Sequence, residues 1–203
     1  TNPVMKGIVL KVLRRCLPFN KVITKHVLNT QILPVFFKCL WIQEITTDRV
    51  NYKNVVKTTV EISKRTDLSV TMDSLANFLK DDSESMRKMA LETISRVIDI
   101  LGAADIPPEL EKRLVDGMMW SYQNARVQTS KVILHGFGKL LRALGIRCKP
   151  YLPEISGAVR WRISNNNANI RQLSADLISE MAPILMECGQ EQMLMHLGAV
   201  LYE

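Results

Sequence analysis

Apolar residues recur at one helical offset in five places along the chain. At positions one, four, five, nine and twelve of each stretch stand Met5, Ile8, Val9, Leu13 and Cys16, then Tyr52, Val55, Val56, Val60 and Ser63, then Met86, Met89, Ala90, Ile94 and Val97. The last two stretches carry Thr129, Val132, Ile133, Phe137 and Leu140, and Ile170, Leu173, Ser174, Ile178 and Met181. Spacings of three and four residues put these side chains on one face of an α-helix, whereas a strand would alternate every second residue. The segments "MRKMALETIS" (86–95) and "IRQLSADLIS" (170–179) set the register, and successive starts lie 47, 34, 43 and 41 residues apart.

Each of the last four stretches follows another helical run. Leu33-Pro34 opens "VFFKCLWIQEI" and Leu152-Pro153 opens "EISGAVRWRIS"; proline suits a first helical turn, where its missing N–H had no partner. Between the runs lie "TTD", "KDDSE" and "SNNNAN", residues that make turns and cap helix starts. The unit is thus helix–turn–helix at roughly 40 residues, the HEAT and armadillo range. One such unit cannot bury its apolar stripe alone, so neighbours must stack. The expected fold is all-α, a HEAT-repeat α-solenoid: a right-handed superhelix of antiparallel helix pairs, about five repeats, no strands. A single array covers residues 1–203, with units near 1–20 (second helix only), 21–66, 67–104, 105–146, 147–188 and 189–203 (first helix only). Neither end shows a polar capping face, so the pattern reads as an excerpt of a longer solenoid.

Charge adds a second pattern. The net charge is +7, but residues 1–65 and 126–171 are strongly basic, while 66–125 and 172–203 are acidic. A uniformly basic nucleic-acid domain would not alternate in this way; in an array that keeps sequence order these blocks become successive bands. Cys16, Cys39, Cys148 and Cys188 lie far apart with no CxxC, which reads as reduced intracellular core thiols. The most apolar run, "ILPVFFKCLWI", is interrupted by Lys38 and is shorter than the ~20 residues of a membrane span, so no membrane role is expected.

The second position of the second helices reads Lys6, Lys53, Arg87, Ser130 and Arg171. Two roles fit: hydrogen bonding within and between repeats, or a cationic ladder along the concave face for RNA phosphates or an acidic partner. A further basic block sets Arg147, Lys149, Arg160 and Arg162 among Tyr151 and Trp161, with Lys139 and Arg142 on the preceding helix. Arginine beside aromatics can stack on bases and hold phosphates; alternatively Tyr151 and Trp161 fill gaps between repeats. "HGFG" (135–138) lies inside a helical stripe and follows no strand, so it fits close helix packing rather than a phosphate loop. His26, His135 and His196 fall in separate repeats, with no nucleophile–base pair, metal cluster or cofactor motif, so a non-enzymatic protein is expected.

The phrases "NYKNVVKTTVEISK", "RKMALETISRVIDILGAADI", "HGFGKLLRALGIRCKPYLPEISGAVRWRISNNNANIRQLSADLIS" and "MLMHLGAVLYE" resemble the large HEAT-repeat subunit of splicing factor 3b, over nearly the whole chain and in order. The resemblance implies a nuclear scaffold of the U2 small nuclear ribonucleoprotein (U2 snRNP). Its implied partners are the other splicing factor 3b subunits, U2 small nuclear RNA with the pre-mRNA branch-site region, and spliceosomal helicases. The family's branch-adenosine pocket would lie in repeats beyond this segment, so no residue here is assigned to it. Two positions depart from the resemblance: Arg126 stands in a turn expected to be acidic, and Pro183 predicts a kink or an end of its helix near Ala182. The alternative is a HEAT adaptor of another kind, a transport receptor or phosphatase-type scaffold that binds peptides.

Overall fold

The computed structural model describes residues 3–17 and 23–201, and its regular elements there are all helical. In chain order they are α1 (Pro3–Cys16), α2 (Lys25–Val27), a π-helical turn (Leu28–Ile32), α3 (Leu33–Leu40), α4 (Gln43–Thr47), α5 (Arg49–Ser63) and α6 (Leu68–Ala76). A 3-10 turn (Asn77–Lys80) leads to α7 (Glu84–Leu101), α8 (Pro108–Gln123) and α9 (Val127–Leu144); a second (Gly145–Tyr151) leads to α10 (Leu152–Ile163), α11 (Ala168–Glu187) and α12 (Glu191–Val200).

The helices form two layers. Helices α1, α5, α7, α9 and α11 pack side by side in that order, and α6, α8, α10 and α12 do the same in the other layer. Across the layers α6 meets α7, α8 meets α9, and α11 meets both α10 and α12. The apolar stripes explain the arrangement. Met86, Met89, Ala90, Ile94 and Val97 are all buried, as are Val55, Val56 and Val60 of α5 and Ile133, Phe137 and Leu140 of α9. In α1 the equivalent Met5, Ile8 and Val9 stay exposed.

Local chemistry starts and stops these helices. Asp48 caps α5 by accepting from the Val50 and Asn51 amides at 2.8 and 3.1 Å, and Asn167 caps α11 through the Asn169 amide, as the polar turns predict. Three helices of the α1–α11 layer end at a glycine in left-handed conformation: Gly102 after α7, Gly145 after α9 and Gly189 after α11, a backbone state that side chains with a Cβ disfavour. "HGFG" lies inside α9, as expected. A Cβ on Gly136 would sit 3.4 Å from the Leu91 carbonyl of α7, and one on Gly138 would sit 3.3 Å from Glu180 of α11.

Two sequence expectations change. "VFFKCLWIQEI" is not one helix: α3 ends at Leu40, and Trp41 (φ −93°, ψ 68°) turns the chain before α4. Trp41 is buried against Phe37 and Phe78 and donates its indole N–H to the Thr59 hydroxyl at 3.2 Å; this tertiary anchorage outweighs the helical pattern. Helix α11 runs through Pro183 to Glu187 instead of ending near Ala182. Pro183 and Ser179 are both exposed, so the carbonyl that loses its amide partner faces water. Buried Met181, Ile184 and Leu185 hold the helix on either side.

Ion pairs connect elements distant in sequence. Lys25 pairs with Asp67, whose carboxylate also accepts from Asn29 at 3.0 Å, tying α2 to the turn before α6. The Lys25 ammonium, donating to it, holds the Asp67 carboxyl below its ordinary value of 3.8. A depressed folded-state value means that this contact stabilises above pH 3.8 and is lost as pH falls through the folded value. Carbon-detected titration of Asp67 should give a midpoint below 3.8, and Lys25→Met should move it back up; an unshifted midpoint in the unmodified chain refutes the assignment.

Candidate functional site

The ten cations singled out in sequence fall into three groups. The first is turned into the fold. Arg87, 5% exposed, donates from Nη1 to the carbonyls of Asp81 and Asp82 at 2.7 and 3.1 Å, from Nη2 to Asn124 at 3.5 Å, and lies over the Trp120 ring. Arg162, 4% exposed, reaches the carbonyls of Tyr122, Gln123 and Ala125 at the end of α8 and stacks 4.8 Å from the Tyr122 ring centroid. Burial lowers the Arg162 guanidinium and raises the Tyr122 phenol relative to their ordinary values. Half-buried Arg147 donates to the carbonyls of Ile106 and Ala103 at 3.2 and 2.6 Å and pairs with buried Glu111 at 3.3 Å. As direct RNA contacts, Arg87 and Arg162 are corrected: both close the stack on helix-end carbonyls, because a planar guanidinium can serve two acceptors while its stem packs as an apolar chain.

The second group is paired across the array. Lys139 binds Asp99 and Arg142 binds Glu180. With Lys80–Asp116, Arg113–Asp73 and Arg126–Glu84, these contacts join adjacent repeats. Several of them join oppositely charged bands: Lys139, Arg126 and Arg147 of the second basic block each meet an acid of the preceding acidic block. The bands are therefore partly a stacking device. Arg126, unexpected in its turn, answers Glu84 of α7.

The third group faces solvent. Lys53, Lys149 and Arg160 are exposed and show no ion pair or side-chain hydrogen bond among the described residues. Lys6 is half-buried, beside Glu44 and Asp48. Arg171 is exposed and donates from Nη1 to the carbonyls of Asn165 and Asn166 at 2.9 and 3.1 Å. That repeats the Arg87 geometry, six and five residues back along the chain, so two members of the basic column clamp their own turns. The side chain of Ser130, the break in that column, lies outside the described residues.

Sequence reasoning did not anticipate two surface features. Trp161 is 69% exposed and fills no gap between repeats. It lines an open hollow of about 500 Å³ with Gly157, Arg160, Ser164, Asn165 and Asn166. An apolar hollow of about 750 Å³ lies between α1 and α3, against Met5, Val9, Leu13, Ile32, Val35 and Phe36. The exposed stripe of α1 was the available sign of the second, whereas nothing in the periodicity marks Trp161 as outward. By contrast Tyr151 is half-buried, its phenol raised by burial and by Glu111.

The three histidines stand apart, although His135 shares a hollow of about 790 Å³ with Lys88, Glu92, Asp176 and Glu180. His26, His135 and His196 stand on α2, α9 and α12. Among the described residues no group of three or more His, Cys, Asp or Glu could hold a metal ion, and no helix is long and apolar enough to cross a membrane. Cys148 and Cys188 are buried neighbours, and burial, then Cys188, raises the Cys148 thiol; Cys16 and Cys39 are exposed, unlike the core thiols expected.

No protein-family model matches this chain. It is 42% identical over 199 residues to the U2 snRNP component prp10 of Schizosaccharomyces pombe, and 34% identical over 199 residues to the U2 snRNP component HSH155 of Saccharomyces cerevisiae. Both matches cover 98% of this chain but only 16% and 20% of those proteins. The stacked helical array and these matches agree with the repeat phrases, and over nearly all its length the chain is similar to a part of these U2 snRNP components.

Proposed function

We propose that this chain acts in the nucleus as part of a non-catalytic scaffold of the U2 snRNP, contributing to recognition of the pre-mRNA branch-site region and to the binding of partner subunits during spliceosome assembly. The observation that carries the reading is the 42% identity, spread over 98% of the chain, to a U2 snRNP component. The architecture supports it. A two-layer array cross-linked by ion pairs and arginine–carbonyl contacts holds its surface residues at fixed spacing, as a scaffold must. Candidate contacts to RNA or an acidic partner are the cations that reach solvent: Lys6, Lys53, Lys149, Arg160 and Arg171. Arg147, Lys139 and Arg142 would contribute only at their exposed edges.

The test is affinity capture of the tagged protein carrying this chain from nuclear extract of its own source, with washes of rising salt. The expected result is recovery of U2 small nuclear RNA together with splicing factor 3b subunits, the RNA-borne share falling steeply with the logarithm of salt. Recovery of neither RNA nor those subunits overturns the proposal; salt-insensitive recovery of peptides alone supports the adaptor reading instead.

A further inference from the structure

Trp161 is the one exposed aromatic side chain among the described residues; the others are buried or half-buried. It stands on α10 with Arg160 beside it, both directed to solvent. Gly157, one turn earlier on the same face, is a glycine in a helix interior, which is unfavourable relative to alanine. At Gly136 and Gly138 a neighbouring helix explains the glycine; at Gly157 a Cβ would meet nothing within 4 Å. No packing among the described residues requires this glycine. Its effect is to leave the path to the Trp161 ring open from the N-terminal side. The remaining wall is polar, made by Ser164, Asn165 and Asn166. It is held in place by Arg171, whose Nη1 binds the Asn165 and Asn166 carbonyls and whose other N–H groups have no partner among the described residues.

We infer that the hollow formed by Gly157, Arg160, Trp161, Asn165 and Asn166, with Arg171 at its edge, binds an unpaired nucleotide of single-stranded RNA. The base stacks on Trp161, the asparagine amides meet its edge, and Arg160 and Arg171 meet the flanking phosphates. Charge and polarity select this occupant. The lining holds a guanidinium and no carboxylate, and the one acid of α10, Glu154, lies outside it, two turns before Trp161. An apolar peptide face would find a single large apolar residue among amides and a hydroxyl, whereas an aromatic plane bordered by guanidinium and amide groups suits a nucleobase with its phosphates. RNA as the ligand class rests on the U2 snRNP reading; the location rests on the geometry of the hollow.

The test uses the purified chain with fluorescein-labelled oligouridylate, and a duplex of the same length, in fluorescence anisotropy. Single strands should bind more tightly than duplex and quench tryptophan emission. Trp161→Ala should weaken single-strand binding roughly tenfold, the scale of one lost base stack. Trp161→Phe should keep most of the affinity while losing the quench, and Gly157→Val should weaken binding by obstructing the ring. Arg160→Gln should lower the slope of log affinity against log salt by about 0.7, the value for one phosphate on a single strand. Because Trp161 is exposed, the thermal melt of each variant should match that of the parent. Failure of the unmodified chain to bind oligouridylate, or unchanged affinity in Trp161→Ala, overturns the inference. So does loss of a protein subunit, without loss of RNA affinity, when Trp161→Ala is carried into the extract capture, since the hollow is then a protein contact. If the extract capture recovers U2 RNA while Trp161→Ala binds oligouridylate normally, this site fails and the U2 snRNP reading stands. If the purified chain binds through Trp161 but the capture recovers no U2 RNA, the site stands and that reading fails.

Discussion

Replacing Arg162 with alanine should lower the unfolding free energy by about 3–4 kcal/mol, the largest loss expected from any single polar substitution in this chain. The guanidinium is buried on three carbonyls at the end of α8, and its two terminal nitrogens make every one of those contacts. Alanine would leave these carbonyls facing a cavity and strip the stacked cation from the Tyr122 ring. Tyr122 in turn shares a hydrogen bond of 3.0 Å with Ser174 of α11, so the loss reaches a third helix. Arg162→Lys should recover less than half of the deficit, because an ammonium is a single compact charge that cannot span the positions of both guanidinium nitrogens or stack flat on the Tyr122 ring. Urea unfolding followed by circular dichroism measures both. A midpoint for Arg162→Ala within error of the parent would show that these contacts do not hold the repeat interface.

Gly117→Val should cost about 2–3 kcal/mol through overpacking. A Cβ at this position would lie 2.8 Å from the Cβ and 2.9 Å from the Cδ1 of Leu79, where α8 crosses the 3-10 turn that ends the preceding first helix. Leu79 cannot retreat. It is fully buried, and one turn beyond Gly117 the Ser121 hydroxyl donates to the Leu79 carbonyl at 2.5 Å, pinning the backbone. Even Gly117→Ala should destabilise, although alanine is the better helix former. Leu79→Ala in the same chain should relieve only part of the strain, since the opposing Cβ remains. A double-mutant cycle in urea reads this coupling, and additive effects would show that the two residues do not press on each other.

These expectations show where the residue pattern was sufficient and where it was not. The i, i+3, i+4 stripes sufficed for the second helices, because a stripe of that width on consecutive helices has one way to leave water: against its neighbours in the same order. Polar turns were equally local, since capping is decided within a few residues. Trp41 shows the limit. The run around it has helical periodicity, yet an indole that finds Thr59, Phe37 and Phe78 together breaks the helix, and those partners are assembled only by the stack. Pro183 shows the converse. A local breaker is tolerated because the carbonyl it orphans faces solvent.

The candidate site was legible in residue type but not in direction. The column of Lys6, Lys53, Arg87 and Arg171 was visible as a repeated position, and the alternating charge blocks as bands. A sequence cannot state whether a guanidinium at a helix start points outward or folds back onto the preceding turn. Arg87 and Arg171 fold back, one buried and one exposed, with the same two carbonyl contacts. Arg160 and Arg162 stand two residues apart, roughly 200° around a helix, so one must face out if the other faces in. The sequence by itself determined the helical repeat, its register, its capping and the charge alternation, because these depend on neighbours within one turn or one unit. Only the tertiary structure decided which of those charges are left on the surface, because Arg162, Lys139 and Arg147 each take a carbonyl or carboxylate that lies some forty residues away.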